Sequence, residues 1–490
     1  MRLAEIVLLG AALPLGIGLL AAKRDGGWLA RIWGLIVLVA LAVHLKVEGL
    51  YWQMATAYVA CALLWAVVFV GKRWPPFFRR VAGGLSLVLL LASAAALFVL
   101  PKFRLPKPTG PYAVGTRILH FEDASRPDPA FTSGHRELMV QVWYPADASK
   151  APLAVYRRAV ETTWLSSYDA ALTTHSRLDA PILRSSGALP ILLFNPAWQG
   201  QRTQNTFQTE ELASHGYLVI AIDHTHNSEP VAFPNGKIFA SSEIRDIEDF
   251  TGVNLDGQVE YGTAEATTEA KDDSVVLDAF SAMNNDASSP WYRSLDLARV
   301  GALGHSFGGS VSVEAAFRDS RIQAALNMDG WIFGDLWQRN LDKPLMLIYE
   351  DPYPPATKTI QAGLNSSDRD TRLITQLNVA DMANVNRTLT QCGGYLLNIL
   401  GTKHFNFSDR ALYSPVRRLT ESGPIAPYRA YEIINRYTLA FFDQALHHSD
   451  EPLLVGNSPF PEVHFEHHSK GRECAALSNS PPSKTVGSSE

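Results

Sequence analysis

Four long stretches without charge crowd the first 101 residues, and they restrict that region to one kind of structure. Residues 6–22, 32–45, 49–71 and 81–101 hold 17, 14, 23 and 21 residues. A bilayer core takes roughly 20 apolar residues at a rise of 1.5 Å each. Inside it every backbone N–H and C=O must find its partner within the segment, so stretches of this length become helices. The second stretch reaches a full span if Arg31 snorkels to the interface behind Trp28 and Leu29. Leu20-Ala21-Ala22 runs straight into Lys23-Arg24 with further spans behind it, which favours a retained first span over a cleaved leader. His44 and Cys61 are lone polar residues and read as packed. An ion path would need paired ionisable groups at membrane depth. Residues 1–101 are therefore expected to be an anchor of about four transmembrane helices.

Four spans would leave Lys23, Arg24, Arg31, Lys72, Arg73, Arg79 and Arg80 on one side. Arg2, Lys46, Lys102, Arg104 and Lys107 would lie on the other. Seven bases against five place the loops inside and the larger part of the chain outside. For a bacterial cell that predicts an integral inner-membrane protein with its large domain on the periplasmic side. Net charge divides at the same point: +6 over the first 101 residues and −11 over the remaining 389. An acidic soluble part argues against nucleic acid as a partner, because phosphate binding needs clustered Lys and Arg. Three cysteines, Cys61, Cys392 and Cys474, exclude a disulfide scaffold and a cysteine-based zinc cluster. They leave open whether Cys392 and Cys474 pair.

Residues 102–109 are basic and punctuated by proline, suited to a short stiff tether. Apolar strands are then expected at 138–144, 189–194, 218–223, 300–303, 322–327, 345–349 and 395–400, separated by helical stretches, with a closing helix at 430–446. That alternation predicts an α/β domain over 110–450, with a mostly parallel sheet covered on both faces. Residues 451–490 read as a C-terminal tail, disordered beyond about residue 469. Residues 242–278 carry eleven acids against two bases. Their composition favours a solvated surface insertion over a lid, and their spacing is not that of a calcium loop.

The chemistry gathers on one turn. Val300-Gly-Ala-Leu-Gly304-His305-Ser306-Phe307-Gly308-Gly309 is an apolar strand running into G-x-S-x-G and then a helix. In this order a serine sits on a strained turn, with Gly304 and Gly308 letting the neighbouring elements approach. The Phe307 N–H, at the helix start, is placed to donate to an oxyanion. Serine needs a base and the base a carboxylate. Of 14 histidines, His404 follows the last expected strand, where an α/β-hydrolase fold carries its base. His305 is expected to point away from Ser306, and His447, His448, His464, His467 and His468 to be exposed. Asp329 and Asp351 each follow an expected strand and compete as the acid. Gly330 favours a tight functional turn at Asp329, and Pro352, Pro354 and Pro355 suggest a surface loop after Asp351. A second oxyanion donor should come from Asn195-Pro196-Ala197-Trp198-Gln199-Gly200, with the Trp198 N–H as the candidate.

Four motifs in order carry a family resemblance. Gly110-Pro-Tyr112-Ala-Val-Gly115 with Val142-Trp-Tyr-Pro145 resembles the opening of the platelet-activating-factor acetylhydrolases of the plasma, isoform II-like type. Gly304–Gly309, Asn327-Met-Asp329-Gly-Trp331 and residues 401–407 are similar to their nucleophile, acid and histidine segments. The resemblance spans about 110–445. It implies an α/β-hydrolase fold with Ser306, Asp329 and His404 as a triad, and Trp198 and Phe307 supplying amides. Two departures stand out: Asn195-Pro196-Ala197 replaces the family's usual Ser-His-Gly stretch, and the multispan N-terminus is an addition.

The reading is a membrane-anchored serine carboxylic-ester hydrolase working through an acyl-enzyme on short acyl esters, phospholipid sn-2 esters among them, with no cofactor and no metal. The alternatives are an acyltransferase on the same triad, a lipase or polyester hydrolase, and a non-catalytic receptor domain. Fold and triad do not set the substrate.

Overall fold

The computed structural model describes residues 2–21, 27–71, 74–147, 150–184, 187–239, 245–249, 251–471 and 474. It divides into two compact units. One comprises Met1–Arg104 with Val155–Thr173 and Leu412–Thr420, the other Leu105–Ala154, Thr174–Ala411 and Glu421–Glu490.

The first unit contains α1 (Leu3–Ala21), α2 (Gly27–Glu48), α3 (Ala55–Phe69) and α4 (Pro76–Val99), with a 3-10 turn at Trp52–Met54 leading into α3. With that turn included, four helices of 18 to 24 residues are long and apolar enough to cross a membrane. α1, α2 and α4 begin before their uncharged stretches, whereas α3 is shorter than its own. α2 takes in Arg31 and Lys46, because helical hydrogen bonding continues through charges that lie near the ends. The charges near one end pair among themselves: Arg2 Nη1 lies 2.7 Å from Glu48 Oε2, Lys102 Nζ donates to the Glu48 carbonyl (3.0 Å), and Tyr51 Oη donates to Glu5 (2.6 Å). Lys23, Arg24, Lys72 and Arg73, which bear on orientation, lie outside the described residues.

The second unit is built on a sheet. In chain order its strands are β1 (Val114–Pro127), β2 (His135–Pro145), β3 (Leu153–Val155), β4 (Thr173–Leu178), β5 (Leu189–Asn195) and β6 (Leu218–Asp223), then the small hairpin β7 (Val231–Ala232) and β8 (Ile238–Phe239). After these come β9 (Leu295–His305), β10 (Ile322–Met328), β11 (Leu345–Tyr349), β12 (Gly394–Ile399) and β13 (Val463–His468). All but the hairpin join in one sheet of order β13-β12-β11-β10-β9-β5-β6-β2-β1-β4-β3. The run from β6 through β5, β9, β10 and β11 to β12 is parallel. β2 is antiparallel to both neighbours, and β13 to β12. The helices are α5 (Thr206–Ser214), α6 (Leu255–Asn285), α7 (Phe307–Arg318), α8 (Thr357–Leu364), α9 (Arg369–Cys392) and α11 (Pro427–His447); α10 (Arg417–Thr420) belongs to the first unit. Every residue of β5 and β6 is buried, as parallel strands covered on both faces require.

Three expectations need correcting. β1, β3, β4 and β13 were not among the expected strands. The supposed tail contributes β13 at the sheet edge, and His464, His467 and His468 lie on it, His468 partly buried. Residues 475–490 lie outside the described region, but Cys474 is bonded to Cys392 at the end of α9. The acidic segment is also not a solvated surface throughout. Most of it forms α6, and Glu269, Asp272 and Asp273 on that helix are buried, because Arg136, Arg126 and His224 meet them from elsewhere in the chain.

Candidate active site

Parallel pairing brings the C-terminal ends of the central strands to one edge of the sheet, the usual place for a site in such folds. Asn195 of β5 and Asn327 of β10 both stand in register with Gly304 of β9. Ser306 follows β9 and Asp329 follows β10, while His404 opens a 3-10 turn, His404–Phe407, a few residues beyond β12.

Ser306 sits between β9 and α7 with φ +56°, a left-handed conformation that costs a residue with a side chain on the order of 1 kcal/mol. The glycines around it answer a packing demand. A Cβ on Gly304 would lie 2.1 Å from the Gly308 carbonyl oxygen, and one on Gly308 would lie 2.0 Å from that of Asn195. The loop after β5 therefore rests directly on the turn. Asp329 is likewise left-handed (φ +59°). Its turn is closed by Asn327, which donates to the Gly330 carbonyl (2.8 Å) and accepts from the Gly330 N–H (2.9 Å).

The three side chains meet. His404 Nε2 is 2.9 Å from Ser306 Oγ, and His404 Nδ1 is 2.7 Å from Asp329 Oδ2. Asp329 Oδ1 accepts the Glu350 N–H at 2.8 Å, which fixes the carboxylate plane. Asp351 is elsewhere: its Oδ2 accepts the Gly401 N–H (2.9 Å) and its carbonyl accepts from Lys403 Nζ (2.6 Å). It holds the strand-to-His404 connection without reaching the imidazole.

His305 makes its hydrogen bonds to groups other than Ser306, and it is fully buried and engaged. Its Nε2 donates to the His404 carbonyl (2.9 Å) while Nδ1 accepts from Gln204 Nε2 (2.8 Å). Gln204 Oε1 in turn accepts the Ala197 N–H at 3.0 Å. Burial and the neighbouring His404 hold the His305 pKa well below the histidine norm, so its ring is neutral and able to accept and donate at once. Nothing in the local sequence marks Gln204 or His305 for this service. The Trp198 ring packs edge-on against Phe307, centroids 4.8 Å apart, so the loop bearing one candidate amide lies against the residue bearing the other. Among the described residues the Trp198 N–H has no protein acceptor. Phe307 opens α7, where first-turn N–H groups lack intrahelical partners.

Ser306, Phe307, Asp329 and His404 border a cavity of about 260 Å³, lined also by Trp331, Phe333, Tyr353 and Met382. Burial disfavours a charged His404, but the Asp329 hydrogen bond and charge, with Glu350 beyond, outweigh it and raise the pKa above the ordinary value of 6.5. A base must be unprotonated to act. The expected result is that kcat/KM rises with pH through a midpoint above 6.5. A pH–rate profile with the midpoint below that value would contradict the Asp329 pairing.

A family model, platelet-activating factor acetylhydrolase, isoform II, matches residues 97–243 and 285–452. A probable 1-alkyl-2-acetylglycerophosphocholine esterase of Arthroderma benhamiae is 28% identical over 422 residues, covering 78% of this chain and 98% of that one. The platelet-activating factor acetylhydrolase of Canis lupus familiaris is 23% identical, over 70% of this chain and 77% of its own. Among solved structures, a ferulic acid esterase from Streptomyces cinnamoneus superposes with a TM-score of 0.58 at 29% identity, covering 74% of this chain and 99% of that one. The chain thus belongs to the platelet-activating factor acetylhydrolase isoform II family and is a carboxylic ester hydrolase of the α/β-hydrolase fold.

Proposed function

We propose that Ser306 attacks the ester carbonyl, that His404 takes the serine proton and passes it to the leaving alcohol, and that Asp329 orients the imidazole and stabilises its charged form. The tetrahedral oxyanion is bound by the N–H groups of Trp198 and Phe307, and water then resolves the acyl-enzyme. The observation that carries this is the continuous hydrogen-bonded line from Ser306 Oγ through His404 to Asp329, at 2.9 and 2.7 Å.

Residues 1–101 serve as a membrane anchor, 102–109 as a tether, 110–450 as the catalytic domain and 451–490 as its C-terminal extension. The catalytic domain faces the extracytoplasmic side, the periplasm in a bacterial cell. The seven-to-five basic asymmetry supports this orientation, and so does the Cys392–Cys474 disulfide, which suits an oxidising compartment.

The substrates are short acyl esters, phospholipid sn-2 esters among them. The relatives' names support the ester class. The cavity supports the acyl length, since about 260 Å³ falls below the roughly 300–1,000 Å³ usual for larger ligands. The test is a panel of esters graded by acyl length, with and without a phospholipid headgroup, offered in solution and in vesicles, with free acid and transferred acyl product both quantified. Expected are release of free acid, preference for short acyl groups, and turnover of membrane-presented substrate. Good cleavage of soluble esters with none of vesicle-borne ones would remove the lipid-surface role.

A further inference from the structure

The acidic helix α6 stands apart from the line of Ser306, His404 and Asp329, yet Glu269, Asp272 and Asp273 on it are each no more than 1% exposed. Arg136 grips Asp272 through two N–H groups (2.9 and 2.7 Å), Arg126 donates to both Asp272 and Asp123, and His224 Nδ1 donates to Asp272 at 3.0 Å. Burial pushes the Glu269 and Asp273 carboxyls up to about 7, which lessens the charge held in the dry interior. Buried ionic clusters seldom stabilise a fold more than apolar packing would. What such a cluster does supply is fixed geometry.

That geometry falls on the loop after β5. At the start of the loop, Asn195 Nδ2 donates to Asp273 Oδ2 and to Ser312 Oγ, both at 3.0 Å, while its Oδ1 accepts from His224 Nε2 at 3.0 Å. With both nitrogens donating, His224 is an imidazolium, in keeping with a pKa that Glu269 and Asp272 raise against the cost of burial. At the far end Gln199, left-handed at φ +60°, donates its N–H to Asn227 Oδ1 (2.8 Å), and Asn227 Nδ2 donates to Glu269 Oε1 (2.5 Å). Between the two ends, the Trp198 ring meets Tyr261 of α6 edge-on at 6.1 Å. One helix thus braces both ends and the middle of the loop. Residues 244–284, which include nearly all of α6, fall between the two blocks matched by the family model.

We infer that Glu269, Asp272 and Asp273 are positioning residues for ester hydrolysis: through Asn227, His224 and Asn195 they hold the loop whose Trp198 N–H binds the oxyanion. The inference rests on the role proposed above for Trp198.

Asp273→Ala and Asn227→Ala each release one end of the loop in the full-length protein. Expected in each is a fall in kcat of about tenfold or more per site titrated with a fluorophosphonate, since losing an oxyanion donor outright costs about 10²–10³. KM should stay within about twofold, and the pH midpoint set by His404 should not move. Affinity for a trifluoromethyl ketone, which forms the oxyanion on binding, should weaken by the same factor as kcat. Asp273→Asn keeps an acceptor for Asn195 and should restore kcat to within about threefold of wild type. Normalising to titrated sites removes losses due to misfolding, and if Asp273→Ala does not fold, Asn227→Ala decides. Wild-type kcat and ketone affinity retained in a folded Asn227→Ala would overturn the brace alone. A wild-type enzyme that binds the ketone no more tightly than substrate would instead overturn the oxyanion role on which the brace depends.

Discussion

Replacing Asp329 by asparagine is expected to lower kcat on the order of 10⁴-fold with little change in KM. The carboxylate oxygen 2.7 Å from His404 Nδ1 requires a proton on that nitrogen, which leaves Nε2 free to take the serine proton at 2.9 Å. An amide can present its NH₂ instead, favouring the tautomer with the proton on Nε2, where it points at Ser306. It also lacks the charge that stabilises the imidazolium. Asp351→Asn is the control. Among the described residues the Asp351 side chain accepts only the Gly401 N–H, and an asparagine carbonyl can do the same, so the expected loss is less than about tenfold. Steady-state kinetics on both variants settle the carboxylate. A crippled Asp351→Asn beside a mildly affected Asp329→Asn would reverse the assignment.

Ser306→Ala is expected to remove nearly all turnover, because loss of a triad serine typically costs about 10⁶ in kcat and leaves only what binding and the oxyanion donors supply. The fold should persist. The turn depends on Gly304, Gly308 and the backbone bond from the Ser306 N–H to the Met328 carbonyl (2.7 Å), all of which alanine leaves in place. Thermal unfolding of the variant checks this, and the midpoint should lie within a few degrees of wild type. Turnover retained in a folded Ser306→Ala would place the nucleophile elsewhere.

The parts of the molecule that could be read in the sequence are those whose physics is local. G-x-S-x-G between an apolar strand and a helix is such a case, since its glycines answer contacts within a few residues and with the next strand. So is the Asp329-Gly330 turn, which Asn327 closes three residues away through the Gly330 N–H and carbonyl. The brace on α6 could not be read. Composition assigned its acids to solvent, and the groups that bury them, Arg136 and His224, stand 136 and 48 residues away from Asp272. His305 was hidden for a related reason, because Gln204 and the His404 carbonyl come to it from 101 and 99 residues away. β13 carries His464, Glu466, His467 and His468, a poor strand signature that is tolerated at an edge where one side remains open. The Glu48 end of α2 escaped hydropathy because Arg2 and Lys102 pair with Glu48 there.

A covalent acyl-enzyme on Ser306 can be tested without kinetics. The full-length protein is treated with a fluorophosphonate probe, digested, and the adduct located by mass spectrometry. Stoichiometric labelling of the peptide containing Ser306 is expected, abolished in Ser306→Ala and strongly slowed in Asp329→Asn. Labelling of a different serine, or an active protein that takes up no probe, would contradict it.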